Sequence, residues 1–438
     1  MNWKSETNTG WGRVLQAEES VARPERQPTL AATLGETPAP AAGLRRSYGD
    51  APLNDGGRVI DMTRLDRILG FDPQSGVIEV EGGCTIGELA RLFAPRGWLP
   101  AVMPGTGFAT IAGCIANDVH GKNHHHMGSF GQHVKSITLI GSDGKPRVIG
   151  PRRSGALFRA TVGGLGQTGV IASAKLQMIP CKGDVMMVTE RRAENFEQFL
   201  ELLDGSSATY TVGWIDATAR GEALGRGILE EGETGSGLMP RPRKARRVPV
   251  NAPHFALSKP VVRLFNRAYF ARVPAQGRTS VRRIGQFFFP LDRIHDWNRL
   301  YGRRGFHQFQ CVVPIAAADT LREMIETIAN SGLASPLAVL KRMGPGRGGM
   351  LSFPMEGYTL AVDFPNRPQA RLLIARLEEM TATAGGRIYL AKDSLATGTR
   401  VKAMYEEHPA WSAEVAKADP AGHFTTDLVR RLDLRNPA

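Results

Sequence analysis

The chain has 438 residues, of which 42% are hydrophobic and 22% charged, values typical of a globular protein with two or three domains. Its 55 Lys and Arg outnumber 42 Asp and Glu, and the net charge of +13 favours an anionic partner such as a phosphorylated substrate, a nucleic acid or an anionic lipid. The sequence has no apolar run of about 18 residues and no apolar region of a secretory signal, so we expect a cytoplasmic or periplasmic protein without a membrane span.

The first part of the chain alternates short strands with a helix. Residues 32–43 (ATLGETPAPAAG) indicate an extended arm, and the Val- and Ile-rich ranges 58–61, 77–81 and 136–140 predict strands. Thr85 and Glu88 form a capping box at the start of a helix over 85–93, along which apolar residues recur at helical spacing.

The middle of the chain has more aromatic residues. Strands are predicted over 209–214, 285–289 and 306–313, and helices over 319–331 and 369–384. A polar insert over 221–253 carries a basic run formed by Arg241, Arg243, Lys244, Arg246 and Arg247. Together these patterns predict an α+β fold.

Residues 103–133 form the most informative stretch, which contains six glycines, His120, Lys122 and three consecutive histidines. Glycines at this density let the backbone approach a bulky ligand such as a dinucleotide pyrophosphate. A Rossmann site at residues 163–169 (GGLGQTG) is disfavoured, because no acidic residue follows at the expected spacing. No metal is expected at His124, His125 and His126, since no Cys, Asp or Glu stands beside them at ligand spacing.

Four motifs occur in a specific order: GLRRSYGDAPLN (43–54), PGTGFATIAGCIANDVHGKNHHHMGSFG (104–131), ATVGGLGQTGVI (160–171) and YLAKDS (389–394). In this order they resemble the vanillyl-alcohol-oxidase-type FAD oxidoreductases, and among them the flavoprotein subunits of decaprenylphosphoryl-β-D-ribose 2-epimerases. The likeness runs from about residue 40 to the C-terminus. It implies a PCMH-type two-subdomain FAD-binding domain over 1–180, an antiparallel-sheet substrate domain over 181–386 and a C-terminal segment over 387–438 that returns to the FAD domain.

The same resemblance implies which residues contact FAD. They are Gly43, Leu44, Arg45, Arg46, Ser47, Tyr48, Gly49, Gly105, Thr106, Thr110, Ala112, Gly113, Asn117, His120, Ile171, Tyr389 and Lys392. Arg46 stands where several sugar-alcohol oxidases have a histidine that bonds covalently to the flavin, so we expect non-covalent FAD.

Lys392 and His120 are the expected catalytic residues, because a fixed ammonium stabilises the negative charge that a flavin gains on reduction. The resemblance places Tyr48, Lys122, Trp214, Gln308, Gln310, Lys341 and Asp363 around the substrate. Gln308 and Gln310 alternate along a predicted strand and therefore face the same side. Ala361 and Phe288 replace a cysteine and a tyrosine of the family pattern, which leaves the shape of the pocket open.

The implied reaction is oxidation of the 2-hydroxyl of a polyprenylphosphoryl-β-D-ribose to a ketone, in the biosynthesis of an arabinose donor for cell-wall glycans. An NAD(P)H-dependent short-chain reductase would complete the epimerisation. Two alternatives are an FAD-dependent oxidase of a soluble alditol or aldonolactone, and a non-catalytic flavin- or glycolipid-binding protein. The basic insert is either a solvated loop or a contact with an anionic membrane surface. Nucleic acid is not expected, because no nucleic-acid-binding motif accompanies the charge.

Overall fold

A four-, a six- and an eight-stranded β-sheet carry the helices in the computed structural model, which describes residues 2–241 and 244–436 except for the side chain of His254. The predicted α+β fold is confirmed. Arg243 of the basic run lies outside the described residues.

The first two sheets contain the strands up to residue 180. The four-stranded sheet has the order β1-β2-β4-β3, and the six-stranded sheet has the order β5-β6-β10-β8-β9 with β7 paired to the end of β10. The predicted strands over 58–61 and 77–81 are confirmed, and 136–140 lies within β8. The strands are β1 Lys4–Thr9, β2 Gln16–Ala22, β3 Ala41–Ala42, β4 Arg58–Asp61, β5 Ile68–Asp72, β6 Val77–Glu81, β7 Trp98–Pro100, β8 Val134–Ile140, β9 Pro146–Ile149 and β10 Val170–Pro180.

The third sheet is antiparallel throughout, with the order β15-β11-β13-β12-β18-β19-β17-β20. Its last strand, β20, begins the C-terminal segment, and the bounds of the three predicted domain segments stay a prediction. Strands β14 and β16 form a separate parallel pair. The strands are β11 Val185–Ala193, β12 Tyr210–Ile215, β13 Gly227–Gly235, β14 Arg246–Arg247, β15 Arg278–Arg283, β16 Ile294–His295, β17 Phe306–Val313, β18 Ala338–Met343, β19 Gly357–Pro365 and β20 Arg387–Ile388.

Helices join the sheets into continuous hydrophobic cores. One core connects α6, α9, α10 and the C-terminal helices to the eight-stranded sheet, and another connects α2, α3 and α8 to the six-stranded sheet. The helices are α1 Gln27–Glu36, α2 Ile86–Phe93, α3 Ile111–Ala116, α4 His124–Met127, α5 Gly155–Thr161, α6 Phe196–Asp204, α7 Lys259–Ala271, α8 Ile284–Phe288, α9 Ala318–Ser331, α10 Pro368–Thr383, α11 Gly398–Met404, α12 His408–Ala418 and α13 Asp427–Arg431.

Helix α8 replaces the strand predicted over 285–289. Consecutive phenylalanines favour a strand by propensity. However, Ile284, Phe287 and Phe288 are all buried, and their i, i+3, i+4 spacing places them on one face of a helix. Tertiary packing therefore decided the structure of this segment.

Two segments expected to be irregular are regular in the structure. The predicted extended arm includes the end of α1, whose Leu30 and Leu34 are fully buried. The polar insert includes β13, which pairs with β11 and β12 in the interior of the eight-stranded sheet. In both cases the buried apolar side chains outweigh the surrounding Gly, Pro and polar residues.

Candidate active site

A cavity of about 1330 Å³ lies where the glycine-rich loops meet the eight-stranded sheet. Strand β17 contributes the two predicted glutamines, β18 contributes Lys341, and the segment after β20 contributes Lys392. All predicted site residues except Gly49 and Asp363 lie on its wall: Gly43, Leu44, Arg45, Arg46, Ser47, Tyr48, Gly105, Thr106, Thr110, Ala112, Gly113, Asn117, His120, Lys122, Ile171, Trp214, Gln308, Gln310, Lys341, Tyr389 and Lys392.

The loop after β3 turns its two arginines in different directions. Arg45 has a φ of 49°, and its guanidinium pairs with the buried carboxylate of Glu19 at 2.8 Å. The guanidinium carbon of Arg46 lies 4.2 Å from the ring centre of Trp11 and 4.6 Å from that of Phe108. Arg45 therefore holds the loop in place, whereas Arg46 lies on the cavity wall without an ion pair to a carboxylate of the described residues.

Two glycines of this loop have no room for a side chain. A Cβ on Gly43 would lie 2.3 Å from Oγ1 of Thr110, and a Cβ on Gly49 would lie 1.9 Å from the carbonyl oxygen of Asp393. Gly43 thus brings the loop against the start of α3. Gly49 lies behind the cavity wall, where the loop crosses the segment that carries Lys392.

The glycine-rich loop over 103–133 is held in place by two buried or partly buried carboxylates. No local sequence pattern predicts this role for either of them. Asp118 accepts hydrogen bonds from the backbone N–H groups of Gly131 at 2.7 Å and Gly348 at 2.8 Å. Asp292 accepts hydrogen bonds from the hydroxyl of Thr106 and from the following backbone N–H, both at 2.7 Å. The loop is therefore anchored to segments that follow it by more than 180 residues.

His120 is buried, and the geometry defines its tautomer. The side-chain amide nitrogen of Gln310 lies 3.0 Å from Nε2 of His120 and 3.2 Å from Oγ1 of Thr359. Since this nitrogen donates, Nε2 accepts and the proton of a neutral imidazole is on Nδ1. Nδ1 is buried and has no hydrogen-bond partner among the described residues. Burial, helped by the charge of Lys341, lowers the pKa of His120 well below its ordinary value.

Three lysines bring positive charge to the cavity. Burial lowers the pKa of Lys122 to about 8, and burial plus repulsion from Lys122 lowers that of Lys341 to about 7. Burial also lowers the pKa of Lys392, whose Nζ lies 3.6 Å from the ring centre of Tyr48. The lysine ion pairs in the described part of the chain all involve other lysines. None of the three cavity lysines therefore forms an ion pair with a carboxylate of the described residues, although Glu230 and Asp363 act on Lys122 and Lys392 through space.

Asp363 lies behind the cavity wall, in contact with Gln308, which is on the wall. Its carboxylate accepts hydrogen bonds from the amide of Gln308 and, at 3.0 Å, from the hydroxyl of Tyr301. Burial raises its pKa, while the charge of Lys392 opposes that increase. Asp363 therefore orients Gln308 and interacts with Lys392 through space.

The C-terminal segment ties the two ends of the site together. Arg431 donates to both carboxylate oxygens of Asp50, at 2.7 and 2.8 Å, and to Asp393 at 2.8 Å. Its guanidinium thus links α13 to the loop after β3 and to the segment that carries Lys392.

The three consecutive histidines are not on the cavity wall. Nδ1 of His124 accepts from the backbone N–H of Gly344, and Nε2 of His125 is 3.1 Å from the carbonyl oxygen of Ala208. The rings of His124 and His125 are therefore engaged by different segments. Within residues 2–241 and 244–436, no group of three or more His, Cys, Asp or Glu is arranged to hold a metal ion.

The residues of the wall fit a flavin dinucleotide. Nε of Arg46 and Oδ1 of Asn117 are buried without a partner among the described residues, which provides a donor and an acceptor. At Gly105 and Gly166 an added Cβ would meet no atom within 4 Å, so the backbone there faces open space. An isoalloxazine ring offers acceptors and a donor along its edge and needs such a cradle.

Comparisons with known proteins agree with this geometry. Residues 30–150 match the family described as "FAD binding domain". The chain is 37% identical to the decaprenylphosphoryl-beta-D-ribose oxidase of Mycolicibacterium smegmatis, across 97% of each protein. The chain belongs to the decaprenylphosphoryl-β-D-ribose oxidase family. An L-gulono-1,4-lactone dehydrogenase of Mycobacterium tuberculosis is 26% identical over 44% of this chain and 46% of that protein.

This family membership makes the chain an FAD-dependent oxidoreductase, and it confirms the predicted family, cofactor and enzyme class. The FAD-binding domain is of the predicted PCMH type. No helix in the described ranges is both long and apolar enough to cross a bilayer.

The cavity of this chain also has an arginine-rich wall, which the sequence analysis did not predict. Arg272, Arg278 and Arg282 line the cavity, and each pairs with the buried Glu190 at 2.6 to 2.7 Å. Arg282 also pairs with Glu230 at 2.9 Å. Three arginines against two carboxylates leave this wall positive. The alternation of Arg278 and Arg282 along β15 was the available signal.

Proposed function

We propose that this enzyme oxidises the 2-hydroxyl of a polyprenylphosphoryl-β-D-ribose to the ketone, as the first half of epimerisation to an arabinose lipid donor. The observation that carries this proposal is one cavity that joins the FAD loops to Lys122, Lys341 and Lys392, none of them paired with a carboxylate in the described part of the chain. A neutral sugar gives such buried charges no partner. A phosphodiester attached to the sugar provides a permanent negative charge for them.

Oxidation of a secondary alcohol removes a hydride from the carbinol carbon and a proton from its oxygen. Bound FAD supplies the acceptor for the hydride. His120 offers its Nδ1–H to the alcohol oxygen, and Gln310 keeps it in this tautomer. Because burial lowers the pKa of Lys392, part of this residue is a neutral amine that accepts the hydroxyl proton. The resulting ammonium would then stabilise the negative charge that a flavin gains on reduction.

The FAD is proposed to be non-covalent and dissociable. Position 46 carries an arginine whose guanidinium packs between Trp11 and Phe108, and an arginine does not form the histidyl link to the flavin. Arg46 instead offers positive charge to the pyrophosphate.

Two partners follow from the proposed substrate. The ketone needs a hydride to give the arabino epimer, which an NAD(P)H-dependent short-chain reductase supplies. A prenyl chain resides in a bilayer, so we also propose that the enzyme, on the cytoplasmic or the periplasmic side, associates peripherally with an anionic membrane surface. A quinone or dioxygen is needed to reoxidise the cofactor.

The test is an anaerobic visible spectrum of the purified FAD-bound protein before and after addition of a short-chain polyprenylphosphoryl ribose. Bleaching of the flavin band by this compound, and not by free alditols or aldonolactones, is the expected result. Bleaching by the soluble sugars alone would transfer the function to a soluble-sugar oxidase. Failure of every substrate to bleach the flavin would favour a non-catalytic binding protein.

A further inference from the structure

Exposed apolar side chains are concentrated in one part of the chain, which also contributes to the cavity wall. Ten of the seventeen large apolar side chains that are exposed in the described part of the chain lie between residues 238 and 300. They are Leu238, Met239, Val250, Phe255, Val261, Leu264, Phe265, Val281, Ile294 and Leu300, and two of them, Val281 and Ile294, are on the cavity wall. Three of these residues, Val261, Leu264 and Phe265, lie together on helix α7.

Helix α7 has two apolar faces. Val262 and Phe270 are buried and attach the helix to the protein. Val261, Leu264 and Phe265 follow i, i+3, i+4 spacing on a different face, and they are 43%, 71% and 49% exposed. A helix that only covers a core needs one apolar face, so the second face indicates contact with something outside this chain.

The charge of the region defines what that contact is. Residues 234–291 contain twelve Lys and Arg and no Asp or Glu, so the other 380 residues together contribute a net charge of only +1. Helix α7 itself carries Lys259, Arg263 and Arg267 and no acidic residue. A second copy of so basic a surface would be repelled. Apolar side chains flanked by Lys and Arg are the pattern of helices that lie in the surface of an anionic bilayer.

Aromatic rings connect this face to the cavity. The rings of Phe265 and Tyr269 are stacked, with centres 5.9 Å apart and an interplanar angle of 16°. The Tyr269 ring centre lies 4.6 Å from that of Trp214. Both Tyr269 and Trp214 are on the cavity wall. A chain of aromatic rings therefore connects the exposed face of α7 to the cavity.

We propose that α7 lies in the surface of an anionic bilayer with Val261, Leu264 and Phe265 inserted, so that the cavity opens onto the membrane. The lipid tail of the substrate then enters along Phe265, Tyr269 and Trp214 without crossing water. The assignment of a lipid-linked substrate rests on the proposed function, whereas the docking of the helix does not.

The experiment is co-sedimentation of the FAD-bound protein with vesicles of phosphatidylcholine alone, or with about 30% phosphatidylglycerol. Wild type is expected to bind the anionic vesicles. The double variant L264S/F265S is expected to bind at least about tenfold more weakly. The variant R263Q/R267Q is expected to lose about fivefold for each cation, in low salt only. The matched control is L372S, since Leu372 is 74% exposed on α10, and it is expected to bind like wild type.

The proposal is overturned if L264S/F265S binds anionic vesicles like wild type. If that variant also loses self-association, the exposed face of α7 is a contact between copies of this chain. All variants must retain the flavin spectrum, and R263Q/R267Q and L372S must also bleach with a monomeric short-chain substrate as wild type does. Vesicle binding without bleaching by the ribose lipid would refute the proposed substrate and keep the docking. Bleaching by the ribose lipid without vesicle binding would refute the docking and keep the proposed substrate.

Discussion

Replacing Lys341 by methionine is expected to reduce the pH dependence with which the enzyme binds an anionic substrate. Burial and the charge of Lys122 lower the pKa of Lys341 to about 7. An anion beside this amine stabilises its charged form and raises the pKa in the complex. Affinity is therefore fully present below pH 7 and decreases as the pH rises through the pKa of the free enzyme.

The size of the effect follows from this pKa. A group with a pKa of about 7 is about 90% protonated at pH 6 and about 1% protonated at pH 9. If only the charged amine binds the anion, affinity falls about 90-fold over this range, or about 2.7 kcal/mol. Lys341 faces a cavity of about 1330 Å³ that water can enter, and solvent screening reduces the effect. We expect a decrease of about tenfold.

The assay is titration of the oxidised enzyme with a 2-deoxyribosyl analogue, which cannot be oxidised at that carbon, between pH 6 and pH 9. The perturbation of the flavin spectrum gives the dissociation constant, and a phosphodiester keeps one charge over this range. Lys341→Met is expected to bind more weakly at pH 6 and to have a shallower slope around pH 7, where Lys392 also titrates, while Lys122 retains a slope near pH 8. The exposed Lys145→Met is the control. An unchanged slope in Lys341→Met would refute the reasoning.

Three substitutions test the supports of the site. Gly49→Ala places a Cβ 1.9 Å from the carbonyl oxygen of Asp393, so we expect loss of bound FAD, measured by the ratio of flavin to protein absorbance. Gln310→Leu removes the donor that fixes the tautomer of His120, and we expect anaerobic flavin reduction to slow about 10- to 100-fold with little change in FAD content. Arg431→Ala leaves two buried carboxylates unpaired, and urea unfolding at fixed excess FAD should show a loss of about 3–5 kcal/mol.

Local signals in the sequence were sufficient where the structure depends on neighbouring residues. The N-cap of α2 is an example, because the hydroxyl of Thr85 accepts from the backbone N–H of Glu88 at 3.3 Å. The apolar face of α9 is another, since Leu321, Ile325 and Ile328 are all buried as their spacing predicts. The family resemblance carried by the order of the motifs likewise predicted residues of which all but Gly49 and Asp363 lie on the cavity wall, and the catalytic and binding roles of those residues stay predictions.

The supports of the site depend on contacts that no local pattern contains. Asp118 binds the backbone of Gly348, 230 residues later, and Arg431 binds Asp50, 381 residues earlier. A buried carboxylate and its partner can be recognised from sequence only when they are close in the chain. For the same reason the pairing of Glu190 with the arginines near β15 was missed, although each residue is visible in the sequence.

The selectivity for anions that we propose depends on how the carboxylates around the cavity are used. Asp118 and Asp292 are occupied by backbone N–H and hydroxyl groups, and Glu190 is shared among three arginines. None of these three carboxylates forms an ion pair with Lys341 or Lys392, and Asp363, which acts on Lys392 through space, is engaged by Gln308 and Tyr301. Because a buried cation without a partner is costly, binding a negative charge recovers that cost. A neutral sugar recovers none of it, and this difference in free energy favours a phosphate-bearing substrate over a free alditol.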